Sequence, residues 1–499
     1  MQARDAERLW RALAAVQAEQ FAEAAAQVAA VLDAGVDTPD AHLLAALAAR
    51  GEGRGEDALA AIDRAILRAP DLPDLHAHRG VILSGLDRLH GAERAFARAV
   101  RLLPNDPHHL ADLGRIQLRR RRFERAFATL TSACDLRPDD AALVSDLAVA
   151  LCGLRRPDEA VLHLDRAVTL EPEHAEYRAN RSRARLLAGR YAEGFADNEA
   201  RWRTKAYAHS PPLPHPVWRG EEVADARVLV VAEQGLGDTL QLVRYAPRLR
   251  DRGAATVHIV CQPELVRLLD AMPGVDGATS IHEPWPQADV CAPVFGLPLA
   301  FGTTLETVPA DVPYLRVPRC GELLRAPRTE ALCAGLVWTG KTNRTLDLEQ
   351  LEPVLEIPDI AWVNLQVGPL AAEARTRGLA DPTPELRDFA DTATLLTQLD
   401  VVITVDTAVA HLAGALGLPT LVLLHAGADW RWTNEGATTP WYPRARLFRQ
   451  RPDGPWREPI EALAAALATL PPREDRRDAP DAPDARAQAP SRRPASSAT

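Results

Sequence analysis

Apolar and small positions in the first two hundred residues recur at one fixed interval. Prolines 70, 104, 138 and 172 are 34 residues apart, and twelve residues before each lies an alanine: Ala58, Ala92, Ala126 and Ala160. The same register runs back to Ala24 and on to Gly194, and a second small residue falls twelve positions earlier still, at Ala46, Gly80, Gly114, Ala148 and Ser182. Ile62, Phe96, Leu130 and Leu164 keep that spacing with large side chains. Small residues at fixed phase let two helices approach closely and large ones fill the seam, while the proline ends the second helix. Each interval predicts a helical hairpin. About six of them, the first and last degenerate, would stack into a solenoid over residues 1–205.

From Arg227 the pattern changes to short apolar runs. RVLVVAE, TVHIVCQ and ADVCAPV come first, then CAGLVWTG, AWVNLQV, VVITVDT and TLVLLHA, with helical segments such as TATLLTQL and AVAHLAGALG between them. Continuously apolar strands alternating with helices predict parallel sheets covered on both faces. Two such blocks predict two Rossmann-like α/β lobes, 223–320 and 321–470, joined near VPADVPYLRVPRC at 308–320. The proline-rich stretch 206–222 reads as a linker, and 471–499 has almost nothing apolar to bury and is expected to be disordered.

Composition narrows the function classes. A chain of 499 residues needs more than one core, and a formal charge of −10 argues against a nucleic-acid or acidic-membrane surface. The run Arg119–Arg122 reads as a solvated face between helices. Six cysteines, Cys134, Cys152, Cys261, Cys291, Cys320 and Cys333, lack metal-ligand spacing and read as buried thiols in a reducing compartment. The start, MQARDAERLW, has no apolar core, and no uncharged stretch is long enough to span a bilayer, so a cytoplasmic protein is expected.

Strand-to-helix turns are where such sheets bind ligands, and three of them carry candidate chemistry. In VLVVAEQGLGDTLQLVRY, residues 228–245, Gly235 and Gly237 permit close backbone approach, but Leu240 stands where a dinucleotide site has its third glycine. Asp238 has two readings: a helix cap completed by Gln241, or a general base held at a helix start. In VVITVDTAVAHLAGALG, residues 401–417, Asp406 or Thr407 caps a helix whose amides at Ala408 and Val409 suit a diphosphate, or the cap is all there is. His411 on the next turn suits packing. GLVWTGKT, residues 335–342, matches the P-loop expression and supports an NTPase reading, yet Leu336–Trp338 look like strand interior. Lys341 and Arg344 remain cations for a phosphate, or exposed loop charges. Trp430, Trp432, Trp441 and Tyr442 concentrate rings that stack on a base or sugar, or seal the lobes together.

The interval with its small, small, proline pattern resembles tetratricopeptide repeats, which implies a concave surface for a peptide or protein partner. EQGLGDTLQLVRY, the W-x-G start at Trp338, DFADTATLLTQLD, VDTAVAHLAGALGLPT and DWRW followed by PWYPRARLFRQ resemble, in this order, the repeat-containing bacterial proteins related to glycosyltransferase family 9, the heptosyltransferase-like group. That resemblance covers residues 227 to about 450. It implies the two-lobed GT-B fold and inverting transfer of a sugar from a nucleotide-sugar donor to a protein or glycan acceptor, without a metal or other cofactor. By it, Asp238 is the base and Gln234, Gly235 and Gly237 form the acceptor-side loop. Lys341, Arg344, Asp406, Thr407, Ala408, Val409 and His411 hold the donor. The loop after Trp338 is shorter than the family's, and Ala428 replaces a proline. A non-catalytic scaffold and a P-loop NTPase are the alternatives.

Overall fold

The computed structural model describes residues 3–208, 212–318, 331–340 and 346–470. Cys320, Lys341, Arg344 and the segment 471–499 lie outside the described residues.

Six helical hairpins come first: α1 (Ala3–Gln17) with α2 (Phe21–Asp33), α3 (Pro39–Gly51) with α4 (Gly55–Arg68), α5 (Pro73–Gly85) with α6 (Leu89–Leu102), α7 (Pro107–Arg119) with α8 (Phe123–Leu136), α9 (Ala141–Gly153) with α10 (Pro157–Leu170), and α11 (Ala175–Leu187) with α12 (Tyr191–Asn198). The small positions are where helices touch. A Cβ added at Gly80 would lie 2.7 Å from the Phe96 ring, and one at Gly114 would lie 2.6 Å from Leu130. Helices α4, α6, α8 and α10 each stop two residues before the periodic proline. Each hairpin turn also passes through one residue with positive φ at the same phase: Glu19, Gly53, Asp87, Arg121, Arg155 and Gly189.

The turns of the later hairpins fix the solenoid edge-on to the second half of the chain. Asp453 accepts hydrogen bonds from the amides of Phe123 (3.1 Å) and Glu124 (3.2 Å), so a carboxylate 330 residues away caps α8. Arg155 Nε donates to the Asn434 carbonyl at 2.8 Å, and Asn434 Nδ2 returns a bond to the Arg155 carbonyl at 3.1 Å. Trp441 Nε1 donates to the Tyr191 hydroxyl at 3.1 Å.

The second half holds two parallel sheets. The first contains β1 (Arg227–Val231), β2 (Thr256–Cys261), β3 (Gly277–Ser280) and β4 (Val290–Pro293), ordered β3-β2-β1-β4. Its helices are α13 (Leu236–Leu242), α14 (Val266–Asp270) and α15 (Leu297–Ala300). The second sheet contains β5 (Leu332–Val337), β6 (Ile360–Asn364), β7 (Val401–Val405), β8 (Thr420–Leu424) and β9 (Ala445–Arg449), ordered β6-β5-β7-β8-β9. With it go α16 (Glu352–Leu355), α17 (Ala371–Thr376), α18 (Phe389–Leu396), α19 (Ala408–Ala415) and α20 (Arg457–Ala468). Strand order reverses beside β1 in the first sheet and between β5 and β7 in the second. The turns after β1 and β7 therefore sit at the crevices where such sheets take ligands. Two Rossmann-like lobes behind a helical solenoid are the architecture of a repeat protein with a GT-B domain.

Several local expectations need correction. Gly335–Val337 lie inside β5 and pair with β6 and β7, so the first residues of the P-loop expression are strand, while Lys341 and Thr342 lie outside the described residues. Gly335 is glycine for packing, because a Cβ would lie 2.5 Å from Leu365 and 2.6 Å from Leu399. The stretch 206–222 is not a plain linker. Trp218 is buried, its amide donates to the Cys291 carbonyl at 2.8 Å, and the Cys291 amide donates to Pro216 at 2.8 Å, so residues 216–218 extend the first sheet beyond β4. Cys261, Cys291 and Cys333 are buried free thiols, while Cys134 and Cys152 are half-buried. Among the described residues no group of His, Cys, Asp or Glu is arranged to hold a metal ion, and no helix is long and apolar enough to cross a membrane.

Candidate functional site

The turn after β1 is anchored from both sides. Glu233 is buried, and its carboxylate accepts from Arg201 Nε (2.8 Å) and Nη2 (3.2 Å), the Tyr207 hydroxyl (3.2 Å) and the Phe295 amide (3.0 Å). Four donors on a buried carboxylate fix the chain where the functional loop begins. Gln234 then takes φ +59°, a strained value for this residue type, and its Nε2 donates to Tyr207 at 2.8 Å.

Asp238 is not the helix cap. Gly235 is the N-cap of α13, and Asp238, three residues on, reaches back so that its Oδ2 accepts the Gly235 amide at 2.8 Å. Gln241 takes no part in this box. Its Oε1 accepts from Arg431 Nε, and Arg431 Nη2 donates to Asp238 Oδ1 at 2.5 Å. Arg431 Nη1 donates to Asp429 Oδ1 at 2.6 Å. One guanidinium, only 6% exposed, thus joins two side chains of the N-terminal lobe to one of its own. Burial alone would push the Asp429 carboxyl up, but Arg431 and Arg183 outweigh it and hold the group below the ordinary carboxylate range.

On the other lobe, β7 delivers a buried Asp406 and then Thr407 as the N-cap of α19. Thr407 Oγ1 is hydrogen-bonded with Thr404 Oγ1 at 2.9 Å and caps none of the helix amides. The Ala410 and His411 amides bond to the Thr407 carbonyl. The amides of Ala408 and Val409 have no acceptor among the described residues, and they belong to the free donors of a helix start.

The two turns meet. A Cβ on Gly237 would lie 2.7 Å from His411 Cδ2 and 3.5 Å from the Ala408 Cα, so α13 and α19, one from each lobe, pack directly on one another. His411 is buried between them, hydrogen-bonded through Nδ1 with the Tyr442 hydroxyl at 2.8 Å and stacked on Trp432. Trp430, Trp432, Trp441 and Tyr442 are all buried, so these rings seal the lobes and the solenoid's last hairpin. Arg244 reinforces the seal. It donates to the carbonyls of Gln241, Pro309 and Trp441, each at 2.8 Å, and to the Tyr314 hydroxyl at 3.0 Å.

The structure therefore gathers Gly235, Gly237, Asp238, Asp406, Thr407, Ala408, Val409 and His411 into one junction, with Gln234 on its rim. Sequence reasoning missed Arg431 and Glu233, and it gave Gln241 a capping role where the side chain instead holds Arg431. Arg431 stands inside the quoted DWRW run, but its partners Gln241 and Asp238 are 190 and 193 residues away, and no local pattern names them.

Comparisons with known proteins fall on both halves. Tetratricopeptide-repeat models match residues 10–73, 79–141 and 117–186, and the model of glycosyltransferase family 9 (heptosyltransferase) matches residues 374–459. Protein FlbA of Caulobacter vibrioides is 26% identical over 320 residues, covering 56% of this chain and 53% of FlbA. The chain thus spans about half the length of the curated relative it matches. Among solved structures, MamA from Desulfovibrio magneticus is 19% identical with a TM-score of 0.31, over 36% of this chain and 98% of MamA. Pseudomonas aeruginosa pilF is 16% identical with a TM-score of 0.36, over 42% of this chain and 93% of its own. This chain carries tetratricopeptide repeats followed by a glycosyltransferase family 9 (heptosyltransferase) domain, whose matched segment contains both α19 and Arg431.

Proposed function

We propose that the protein transfers a sugar from a nucleotide-sugar donor to a hydroxyl acceptor with inversion, and that its repeats recruit a protein acceptor or partner in the cytoplasm. The observation that carries this reading is the start of α19. Its N-cap side chain is turned away, its first amides are open, and it faces the helix that carries Asp238. Open amides at a helix N-terminus favour an anion, and the donor diphosphate is that anion.

The chemistry follows as one displacement. Gly235 and Arg431 each hold one oxygen of Asp238, fixing its orientation while leaving a further lone pair on each. The acceptor hydroxyl gives its proton to Asp238 as its oxygen attacks the anomeric carbon. The bond from that carbon to the diphosphate breaks on the opposite face, which inverts the centre. Charge gathering on the leaving diphosphate is met by the Ala408 and Val409 amides, with Lys341 and Arg344 assigned to the same group. Gly237, with no side chain, lets α13 pack on the start of α19.

One observation favours the scaffold reading instead: both Asp238 oxygens are already engaged, as they would be in a purely structural latch. Thermal unfolding against a panel of nucleotide sugars separates the two. A donor present at a hundred times its dissociation constant stabilises by about 2.7 kcal/mol, so at least one member should raise Tm by several degrees. A panel that leaves Tm unchanged throughout overturns the transferase reading.

A further inference from the structure

The loop that leads to Asp238 is held in large part by residues that precede the first lobe. After α12 the chain runs through two 3₁₀ turns, Glu199–Arg203 and Lys205–Tyr207. Both are tied to the start of α11: the Lys205 amide donates to Glu176 at 3.1 Å, and Arg203 Nη1 donates to Glu173 at 3.0 Å. The Arg201 guanidinium lies 4.6 Å over the Trp202 ring, and Trp202 meets the Tyr207 ring edge-on at 5.4 Å. Tyr207 is thus anchored on the solenoid.

Its hydroxyl sits between two consecutive residues of the loop, donating to Glu233 at 3.2 Å and accepting from Gln234 Nε2 at 2.8 Å. Burial, with the Glu233 charge added, pushes that hydroxyl above its ordinary range, so it keeps its proton. The peptide unit between Gln234 and Gly235 is pinned at both ends: its carbonyl accepts from Gln262 Nε2 at 3.3 Å, and its N–H donates to Asp238 Oδ2 at 2.8 Å. Gln262 is in turn held by the Thr239 hydroxyl at 3.0 Å. Because Gln234 takes φ +59°, the direction of that N–H depends on a backbone conformation that glutamine seldom adopts without a restraint. Among the described residues Tyr207 is the one partner of the Gln234 side chain.

We propose that Tyr207 is a positioning residue for the transfer reaction, orienting the Asp238 carboxylate through Gln234 and the Gly235 amide, so that the site is incomplete without the end of the solenoid. The inference rests on Asp238 as the base. It makes the repeats and the transferase one working unit, since the loop carrying the base takes its shape from a side chain of the other domain.

The first measurement needs no turnover. Amide hydrogen exchange of the full chain, read by mass spectrometry on the peptide carrying Gly235, should speed up about tenfold in Tyr207→Phe, the protection that one net hydrogen bond gives. Tm should stay close to the wild-type value. Lys205→Gln, exposed on the same turn, should exchange as the wild type does. With a donor that is turned over, kcat of Tyr207→Phe should fall about tenfold at unchanged donor KM, because the donor is held from the other lobe. Gln234→Gly accepts a left-handed φ without a restraint, so adding Tyr207→Phe to it should cost less than Tyr207→Phe costs alone. Unchanged exchange at Gly235, wild-type kcat, a loss that falls on KM, full additivity in the double variant, or a collapse of Tm would each overturn the role. A wild type that transfers no sugar sinks the transferase reading by itself, and exchange at Gly235 still decides whether Tyr207 fixes the amide that holds Asp238.

Discussion

Asp238→Asn is expected to lower sugar transfer by about 10²–10⁴-fold while leaving the thermal shift given by the donor intact, the loss typical of removing a positioned general base. Asparagine keeps the length and one acceptor oxygen, but its amide nitrogen cannot accept the proton or the second of the two hydrogen bonds from Gly235 and Arg431. Some stability should go as well, about 1.5–3 kcal/mol for a bond to a charged group, and a urea titration of the same preparation measures it. The account requires the two losses to separate: turnover collapses, the denaturation midpoint moves modestly, and donor still binds. Wild-type turnover in Asp238→Asn would reduce the carboxylate to a latch.

Arg431→Ala is the largest expected effect on stability, about 3–5 kcal/mol, because it strips a buried charge cluster of its cation. Asp429 would keep only Arg183 as a counter-charge, and Gln241 would lose its partner inside the interface. Arg431→Lys should recover only part. A single ammonium cannot reach Asp238, Gln241 and Asp429 together as the forked guanidinium does. The pH dependence gives a second reading. In the wild type the folded Asp429 is held below its ordinary range, so its contribution is present above the unfolded carboxylate value and is lost as pH falls through the lower folded one. Without Arg431, burial dominates and favours the protonated acid. The gap between variant and wild type should therefore narrow as pH falls below about 4. A gap that stays constant from neutral to acid pH would mean that the cluster contributes packing and not charge.

Much of the fold was legible because its signals are local and repeated. The small residues at Gly80 and Gly114 and the prolines after α4, α6, α8 and α10 each restate one hairpin. The strands that were found, such as β7 and β8, are buried on both faces and read as unbroken apolar runs. Two strands were missed for the converse reason. In β3, GATS has no large apolar residue, and in β9, ARLFR ends an aromatic run that drew attention for its rings. The turns around Asp238 and Asp406 could be picked out because strand, glycine or cap, and helix follow one another in sequence. Their contact could not, since Gly237 meets His411 only after both lobes have folded. The same holds for Asp453 capping α8, since that carboxylate comes from the other half of the chain. Left-handed turns at Arg121 and Arg155 ran against residue preference, since glycine or asparagine suits that conformation. Both positions face the C-terminal lobe, and Arg155 spends its side chain on Asn434.

The most direct measurement is a crystal structure of the protein with the nucleotide sugar that gives the largest thermal shift. Hydrogen bonds from the Ala408 and Val409 amides to the diphosphate, with the anomeric carbon turned toward Asp238, are the predicted result. A donor bound elsewhere on the protein, with the α13 and α19 turns untouched, would contradict it.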